Sequence, residues 1–244
     1  MRRAGPRARE SARAYKLCSL LLCYPDEELL SARAELTAVA ETLTGEAGSA
    51  LVEFCRWWSN EEPLRLQQHY VETFDLRKRC GLYLTFFAEG DRRARGQALL
   101  RLKRLYRAAG LPLERSELPD YLPVMLEFAA SAPAGRGELV LREHRAALEL
   151  LRTSLHERKS PYQQVLDAVC ATLGKPSAAE RARALALAAS GPPAELVGLE
   201  PLAGPEVLSG GGVRGAIPPS GGAPALATPS AGPPGTATAA EAGR

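Results

Sequence analysis

Residues 47–59 read Ala-Gly-Ser-Ala-Leu-Val-Glu-Phe-Cys-Arg-Trp-Trp-Ser, and their apolar side chains recur at the spacing of an α-helix. The recurring positions are three or four residues apart and therefore share one helical face: Leu51, Phe54, Cys55 and Trp58. A helix with a single apolar face buries that face against other elements. No stretch of the chain shows a sustained alternation of apolar and polar residues, which is the pattern of a half-buried strand. The fold class predicted from these patterns is all-α.

The same helical spacing continues on both sides of this segment. Asp26 is suited to cap a helix that ends at Gly45, and Pro63 is suited to the first turn of another. Asp91 and Gly110 bracket a long helix in the same way, as cap and terminator. The patterns predict a single helical bundle of about nine to ten helices, over residues 11–22, 26–45, 47–59, 63–74, 82–87, 91–109, 121–131, 138–158, 160–173 and 177–189.

The last part of the 244-residue chain has a different composition. Residues 191–244 hold 12 of the 22 glycines and 10 of the 19 prolines, and they contain no aromatic residue. Such a segment has little apolar area to offset the entropy lost on ordering. We therefore expect one helical domain over residues 1–190 and a disordered, low-complexity tail over residues 191–244.

Several function classes are disfavoured by the sequence. No apolar stretch approaches the roughly 20 residues that span a bilayer, so direct membrane insertion is not expected. The five cysteines form no CxxC pair and the three histidines lack zinc spacing, so neither a disulfide framework nor a metal site is predicted. Arg2-Arg3 resembles the start of a twin-arginine signal, but the apolar run 17–23 after it is too short. Phosphate-loop and hydrolase motifs are missing, so neither enzymatic activity nor a bound cofactor is expected. The scattered cysteines without a disulfide framework favour a cytoplasmic location.

The predicted helix 91–109 is strongly basic. It has seven Lys or Arg residues and one acid, Asp91, although the whole chain carries a net charge of only +3. Such a helix is either a solvated face whose other side packs on the core, or a nucleic-acid-binding surface.

The first candidate site is the run Tyr70-Val-Glu-Thr-Phe-Asp75. Tyr70 and Phe74 lie four residues apart and share a helical face, while Asp75 stands where the helix dipole disfavours a carboxylate. The run is either a core pair followed by an ion pair to Arg77 or Arg79, or one wall of a groove with a carboxylate at its rim.

The second candidate site is the loop Ser116-Glu-Leu-Pro-Asp-Tyr121. Asp120 is suited to cap the helix that starts at Tyr121, which is a sufficient structural reason for an aspartate there. Alternatively, Glu117 and Asp120 receive an arginine of a bound peptide, because guanidinium and carboxylate groups pair in a directional, bidentate manner.

Five blocks, read in order, resemble a known family. They are Tyr70-Val-Glu-Thr-Phe-Asp-Leu-Arg77, Leu82-Tyr-Leu-Thr85, Gly90-Asp-Arg-Arg93 with Gly96, Leu118-Pro-Asp-Tyr-Leu122, and Leu126-Glu-Phe128. This series resembles the NarJ family, the assembly chaperones of respiratory nitrate reductase, within a wider group that includes TorD and DmsD. The likeness extends over residues 14–170 and is densest over residues 70–130.

The resemblance implies an all-α chaperone that performs no covalent chemistry. Such a protein binds the N-terminal segment of the nitrate reductase catalytic (alpha) subunit and holds it in the cytoplasm while the molybdenum cofactor is inserted. Direct contact with cofactor biosynthesis proteins, or a TorD-like or DmsD-like client, stays open. The client-binding positions that match the family motifs are Tyr70, Glu72, Phe74, Asp75, Glu117, Pro119 and Asp120. Tyr121 is the eighth expected client-binding residue; it stands where the wider group usually has a histidine, and it gains no charge near neutral pH.

Overall fold

The computed structural model describes residues 5–89, 93–113, 117–133 and 135–190. The predicted tail 191–244, Arg2-Arg3 and the predicted cap Asp91 lie outside the described residues. Within those ranges the chain forms twelve α-helices: α1 Pro6–Leu21, α2 Glu27–Ser31, α3 Arg33–Glu41, α4 Gly45–Asn60, α5 Pro63–Tyr70, α6 Leu84–Glu89, α7 Arg93–Ala108, α8 Leu122–Ser131, α9 Arg136–Glu143, α10 Arg145–Glu157, α11 Gln163–Leu173 and α12 Ala178–Ser190.

The all-α prediction is confirmed, since the described residues contain no strand, only one isolated bridge between Tyr83 and Tyr121. The number of helices exceeds the predicted nine to ten because two predicted helices are each broken once. The backbone leaves helical geometry at Ala32, where ψ is 6°, and at His144, where ψ is 14°. The apolar spacing continues across both breaks, so periodicity alone does not reveal them.

Helix α4 supplies much of the core, as its spacing predicts. It packs against α3 on one side and α11 on the other, while α1 packs against α8 and α11. The four residues that recur along α4 are all buried: Leu51, Phe54, Cys55 and Trp58. Each large apolar side chain buried in this way contributes roughly 1.5–3 kcal/mol, so α4 is a major source of stability.

Helix α5 runs directly into a π-helical turn, Val71–Asp75. The Leu76 amide donates to the Val71 carbonyl at 3.1 Å, a bond across five residues in place of the usual four. The ring of Phe74 lies 4.9 Å from that of Tyr70 and 4.8 Å from that of Tyr162, which immediately precedes α11. Tyr70 and Phe74 are therefore core residues that join this turn to α11.

Local signals fix several helix ends. Asp26 accepts a hydrogen bond from the Leu29 amide at 2.9 Å, so the predicted cap is confirmed. Gly110 follows α7 with φ +79°, a left-handed conformation that favours glycine after a helix.

Helices α8 and α9 approach each other closely at Gly137. A β-carbon at this position would lie 2.2 Å from the Ala129 α-carbon, which is a backbone atom and cannot move aside alone. Any larger residue at 137 therefore pushes α9 away from α8.

We expect Gly137→Ala to lower the free energy of unfolding by about 1–3 kcal/mol, the usual cost of overpacking. Chemical denaturation with a circular dichroism readout measures this. The matched control is Gly96→Ala in α7, where a β-carbon meets no atom within 4 Å. That change should be neutral or stabilising by up to about 1 kcal/mol, because alanine favours helix over glycine. Equal effects of the two substitutions would contradict the close approach.

Candidate functional site

A groove of about 530 Å³ lies between α1, α8 and the segment that follows α7. Its volume lies within the range of about 300–1,000 Å³ that is typical of binding pockets. The groove is lined by Ser19, Leu20, Cys23, Tyr106, Gly110, Leu111, Pro112, Leu113, Glu117, Tyr121, Pro123, Val124, Glu127, Phe128 and Ser131. Most of these side chains are apolar, so the groove is suited to apolar groups.

Two carboxylates stand at this groove. Glu117 is exposed, and Glu127 forms an ion pair with Lys16 of α1 at 2.5 Å, with both side chains about half exposed. An exposed pair of this kind contributes at most about 1 kcal/mol and is readily exchanged for another cation. The groove thus combines an apolar lining with acceptors for positive charge.

A pair of tyrosine hydroxyls fixes the inner end of the groove. The Tyr70 hydroxyl donates to the Leu22 carbonyl at 3.1 Å and lies 3.1 Å from the Tyr121 hydroxyl. Burial raises the pKa of Tyr70 above its usual range and raises the pKa of Tyr121 to about 12. Both groups therefore stay neutral at physiological pH and act as hydrogen-bonding groups only. Burial also raises the pKa of Cys23 to about 11, so this thiol stays protonated and unreactive.

The position of Tyr121 is set by a short antiparallel contact with the chain before α6. The Leu84 amide donates to the Asp120 carbonyl at 3.0 Å, and the Leu122 amide donates to the Leu82 carbonyl at 2.8 Å. The rings of Tyr83 and Tyr121 lie 5.4 Å apart across this contact. Burial first, and then the charges of Asp120, Glu117 and Asp75, raise the pKa of Tyr83. The charges of the two exposed acids, Asp75 and Glu117, therefore both raise the pKa of the same tyrosine, Tyr83.

Asp120 has a different environment from Glu117. Its side chain is 0% exposed, and Oδ2 accepts from the Thr85 hydroxyl at 2.5 Å. The Arg95 guanidinium lies 3.6 Å from the same oxygen. The prediction that Asp120 caps α8 is wrong, because the helix begins after Tyr121 without a side-chain cap. The aspartate instead ties α6 and α7 to the start of α8.

The remaining predicted site residues fall into two groups. Tyr70 and Phe74 are buried among aromatic rings, and Pro119 is buried with its carbonyl accepting from the Tyr106 hydroxyl at 2.7 Å. Glu72 and Asp75 are exposed. Of the eight predicted positions, only Glu117 and Tyr121 line the groove, and Glu72 instead lines two smaller cavities beside α5.

The predicted ion pair of Asp75 is not formed with any described residue. Arg77 instead donates from Nε to the Glu72 carbonyl at 3.1 Å, which satisfies a carbonyl at the end of the π-helical turn. The carboxylate of Asp75 is thus left to solvent at the surface near Tyr83.

Sequence reasoning missed the α1 wall of the groove. This wall contains Ser19, Leu20 and Cys23, which lie beside α8 although α8 comes roughly a hundred residues later in the chain. No local sequence pattern predicts that contact. Only Glu127 and Phe128 on the α8 side carried a signal, since both lie within the Leu126-Glu-Phe128 block.

Neither a membrane-spanning helix nor a metal-binding cluster is found in the part of the chain that the structure describes. No helix there is both long and apolar enough to cross a membrane. Among the same residues, no three His, Cys, Asp or Glu side chains are grouped so that they could hold a metal ion.

We expect Asp120→Asn to lower the free energy of unfolding by about 1–3 kcal/mol, because a buried hydroxyl and a guanidinium lose their charged acceptor. Thr85→Val, which removes the donor at 2.5 Å, should act in the same direction. The matched control is Glu117→Gln in the same loop, where an exposed carboxylate should change stability by no more than about 0.5 kcal/mol. Equal stability of Asp120→Asn and Glu117→Gln in urea denaturation would contradict the structural role of Asp120.

Comparison with known proteins identifies relatives across this region. A model of the family described as nitrate reductase delta subunit matches residues 39–167. The probable nitrate reductase molybdenum cofactor assembly chaperone NarJ of Bacillus subtilis (strain 168) is 38% identical over 164 residues, covering 65% of this chain and 87% of that protein. The nitrate reductase molybdenum cofactor assembly chaperone NarJ of Escherichia coli (strain K12) is 35% identical over 154 residues, covering 62% and 65%.

A third relative is much longer. The nitrate reductase-like protein NarX of Mycobacterium tuberculosis (strain H37Rv) is 37% identical over 158 residues, which cover 65% of this chain and 24% of NarX. The chain thus spans about a quarter of the length of NarX and most of the length of the Bacillus subtilis NarJ. These matches confirm the family resemblance seen in the sequence: the chain belongs to the nitrate reductase delta subunit family.

Proposed function

We propose that this protein is a client-specific chaperone that binds the N-terminal segment of the catalytic subunit of a respiratory nitrate reductase. It holds that subunit in the cytoplasm for molybdenum cofactor insertion and complex assembly before membrane attachment. The proposal is supported by family membership and by relatives named as molybdenum cofactor assembly chaperones of nitrate reductase. The observation that carries it is the apolar groove with Glu117 at its edge.

The groove has the chemistry that an amphipathic peptide requires. Leu20, Val124 and Phe128 offer apolar contacts from two helices, which is the helix-in-groove mode of recognition. Glu117 is exposed at the same groove and accepts a lysine or arginine of the peptide. Glu127 becomes a second acceptor when a peptide cation replaces Lys16.

The acidic groups of the proposed site extend beyond the groove. The charges of Asp75 and Glu117 both raise the pKa of Tyr83, whose ring lies 5.4 Å from that of Tyr121. A basic peptide that leaves the groove past Tyr121 therefore meets a second exposed carboxylate at Asp75. Asp120 and the buried pair Tyr70 and Phe74 support this surface from below, because none of the three is exposed. Their role in client binding is therefore to hold Tyr121 and the π-helical turn in place.

Nothing in the proposed mechanism requires covalent chemistry by this chain. The molybdenum cofactor is the cargo of the client, and this chain acts by binding and release. Tyr121 supports that role without changing charge, since the pKa of about 12 keeps its hydroxyl neutral.

We expect the double variant Asp75→Asn/Glu117→Gln to bind the client peptide about tenfold more weakly, a loss of about 1.4 kcal/mol in binding free energy. The reason is that each removed carboxylate costs a charge-assisted contact with a peptide cation. The measurement is calorimetric titration with a peptide copying about the first fifteen residues of the catalytic subunit, roughly 22 Å long as a helix.

The matched control is Glu53→Gln, an exposed carboxylate on α4 away from the groove, which should leave the affinity unchanged. A peptide from the N-terminus of another molybdoenzyme tests the alternative of a TorD-like or DmsD-like client. Failure of the wild-type protein to bind the nitrate reductase peptide would refute the proposed client segment. Equal loss of affinity in the control would refute the proposed site alone.

A further inference from the structure

Charge is distributed very unevenly between two neighbouring parts of the chain. Residues 24–76 contain 11 Asp or Glu and 3 Lys or Arg, a net charge of −8. Residues 77–113 contain 10 Lys or Arg and 2 Asp or Glu, a net charge of +8. The small net charge of the whole chain conceals this segregation.

The positive charge is concentrated on the outer face of α7. This helix contains no acidic residue, and its outward stripe repeats at intervals of four and three residues: Arg93, Gln97, Leu100, Arg104 and Arg107. The stripe is about 21 Å long. The side chain of Leu100 at its centre is 56% exposed. Leu102 and Tyr106 are buried on the inner face of α7, so the basic stripe lies on the opposite, exposed face of the helix.

The paired cations of α7 lie outside this stripe. Arg95 pairs with Asp120 and Arg101 pairs with Glu143, and both partners lie outside residues 24–76. No ion pair between described residues involves Arg93, Arg104 or Arg107. Among the described residues, the α7 stripe is therefore a positive surface without paired acids and with an apolar centre.

A negative surface lies on α3 and α4, which pack against each other. Glu46 and Glu53 stand two helical turns apart on the exposed side of α4, and Glu35 and Glu41 are exposed on α3. None of these four glutamates forms an ion pair with a described residue. We call this set of four the α3–α4 acidic face.

We propose that the α7 stripe of one copy docks on the α3–α4 acidic face of a second copy. In a two-fold dimer each copy would supply one stripe and one acidic face, so both contacts form at once. A single exposed ion pair contributes at most about 1 kcal/mol, but several pairs around a buried Leu100 add up to a weak, salt-sensitive association.

The α3–α4 acidic face favours a second copy of this chain as the partner of the α7 stripe. Nucleic acid and an anionic bilayer would each attract the α7 stripe, but both repel the −8 segment of the same domain. A second copy of this chain complements both faces together. It also accounts for the exposed leucine, which a phosphate backbone does not need.

The test is sedimentation velocity of the full-length protein over a range of concentrations. Raising the salt from about 0.1 M to about 1 M shortens the Debye length from about 10 Å to about 3 Å and should weaken self-association at least tenfold. The basic-face variant Arg93→Glu/Arg104→Glu/Arg107→Glu should be monomeric at low salt, as should the acidic-face variant Glu35→Lys/Glu46→Lys/Glu53→Lys. The control Lys175→Glu/Arg181→Glu/Arg183→Glu changes net charge as much as the basic-face variant does, on and just before α12, and should associate like the wild type.

Sedimentation of a mixture of the basic-face and acidic-face variants is the decisive experiment. Each variant alone has matching charges on its two faces, whereas the pair is complementary at both contacts and should form a one-to-one dimer. The control variant mixed with the acidic-face variant matches the pair in net charge but keeps one complementary contact, so it should associate more weakly. A wild-type protein that is monomeric at low salt overturns the proposal, and so does equal association of the basic-face variant. Binding of duplex DNA or anionic vesicles through α7 by a monomeric wild type would identify a different occupant.

Discussion

The Tyr70 hydroxyl is the point at which three parts of the chain meet. It donates to the Leu22 carbonyl at the end of α1 and lies against the Tyr121 hydroxyl at the start of α8, while its ring packs in the core. The groove exists because α1 and α8 are held side by side, and this hydroxyl joins their ends. Because burial keeps both phenols neutral, the junction does not change with pH in the physiological range.

Burial separates the roles of acids that the sequence places side by side. Glu117 and Asp120 are three residues apart in one loop, yet only Glu117 is exposed to a ligand. Asp120 is held by Thr85 and Arg95, and it anchors the short antiparallel contact that positions Tyr121. A buried carboxylate with two cationic or hydroxyl partners is a structural element, whereas an exposed one is available for recognition.

The charges of the molecule are organised on a larger scale than any one site. The exposed acids that line the groove fit a basic peptide, whereas the acidic residues of α3 and α4 belong to the −8 segment of residues 24–76. The basic stripe on α7 lies within the +8 segment that follows it in the chain. Peptide recognition and self-association would therefore both depend on ionic strength, but through different residues.

Features that depend on near neighbours in the chain could be predicted from the sequence. Apolar spacing places α4 and its buried Trp58, and short-range chemistry fixes the Asp26 cap and the Gly110 terminator. Features that depend on distant neighbours became visible only in the tertiary structure. They are the helix break at His144, the burial of Asp120, and the groove between α1 and α8, whose contact no local sequence pattern predicts. The physical reason is that helix periodicity acts within a few turns, whereas burial depends on side chains a hundred residues away.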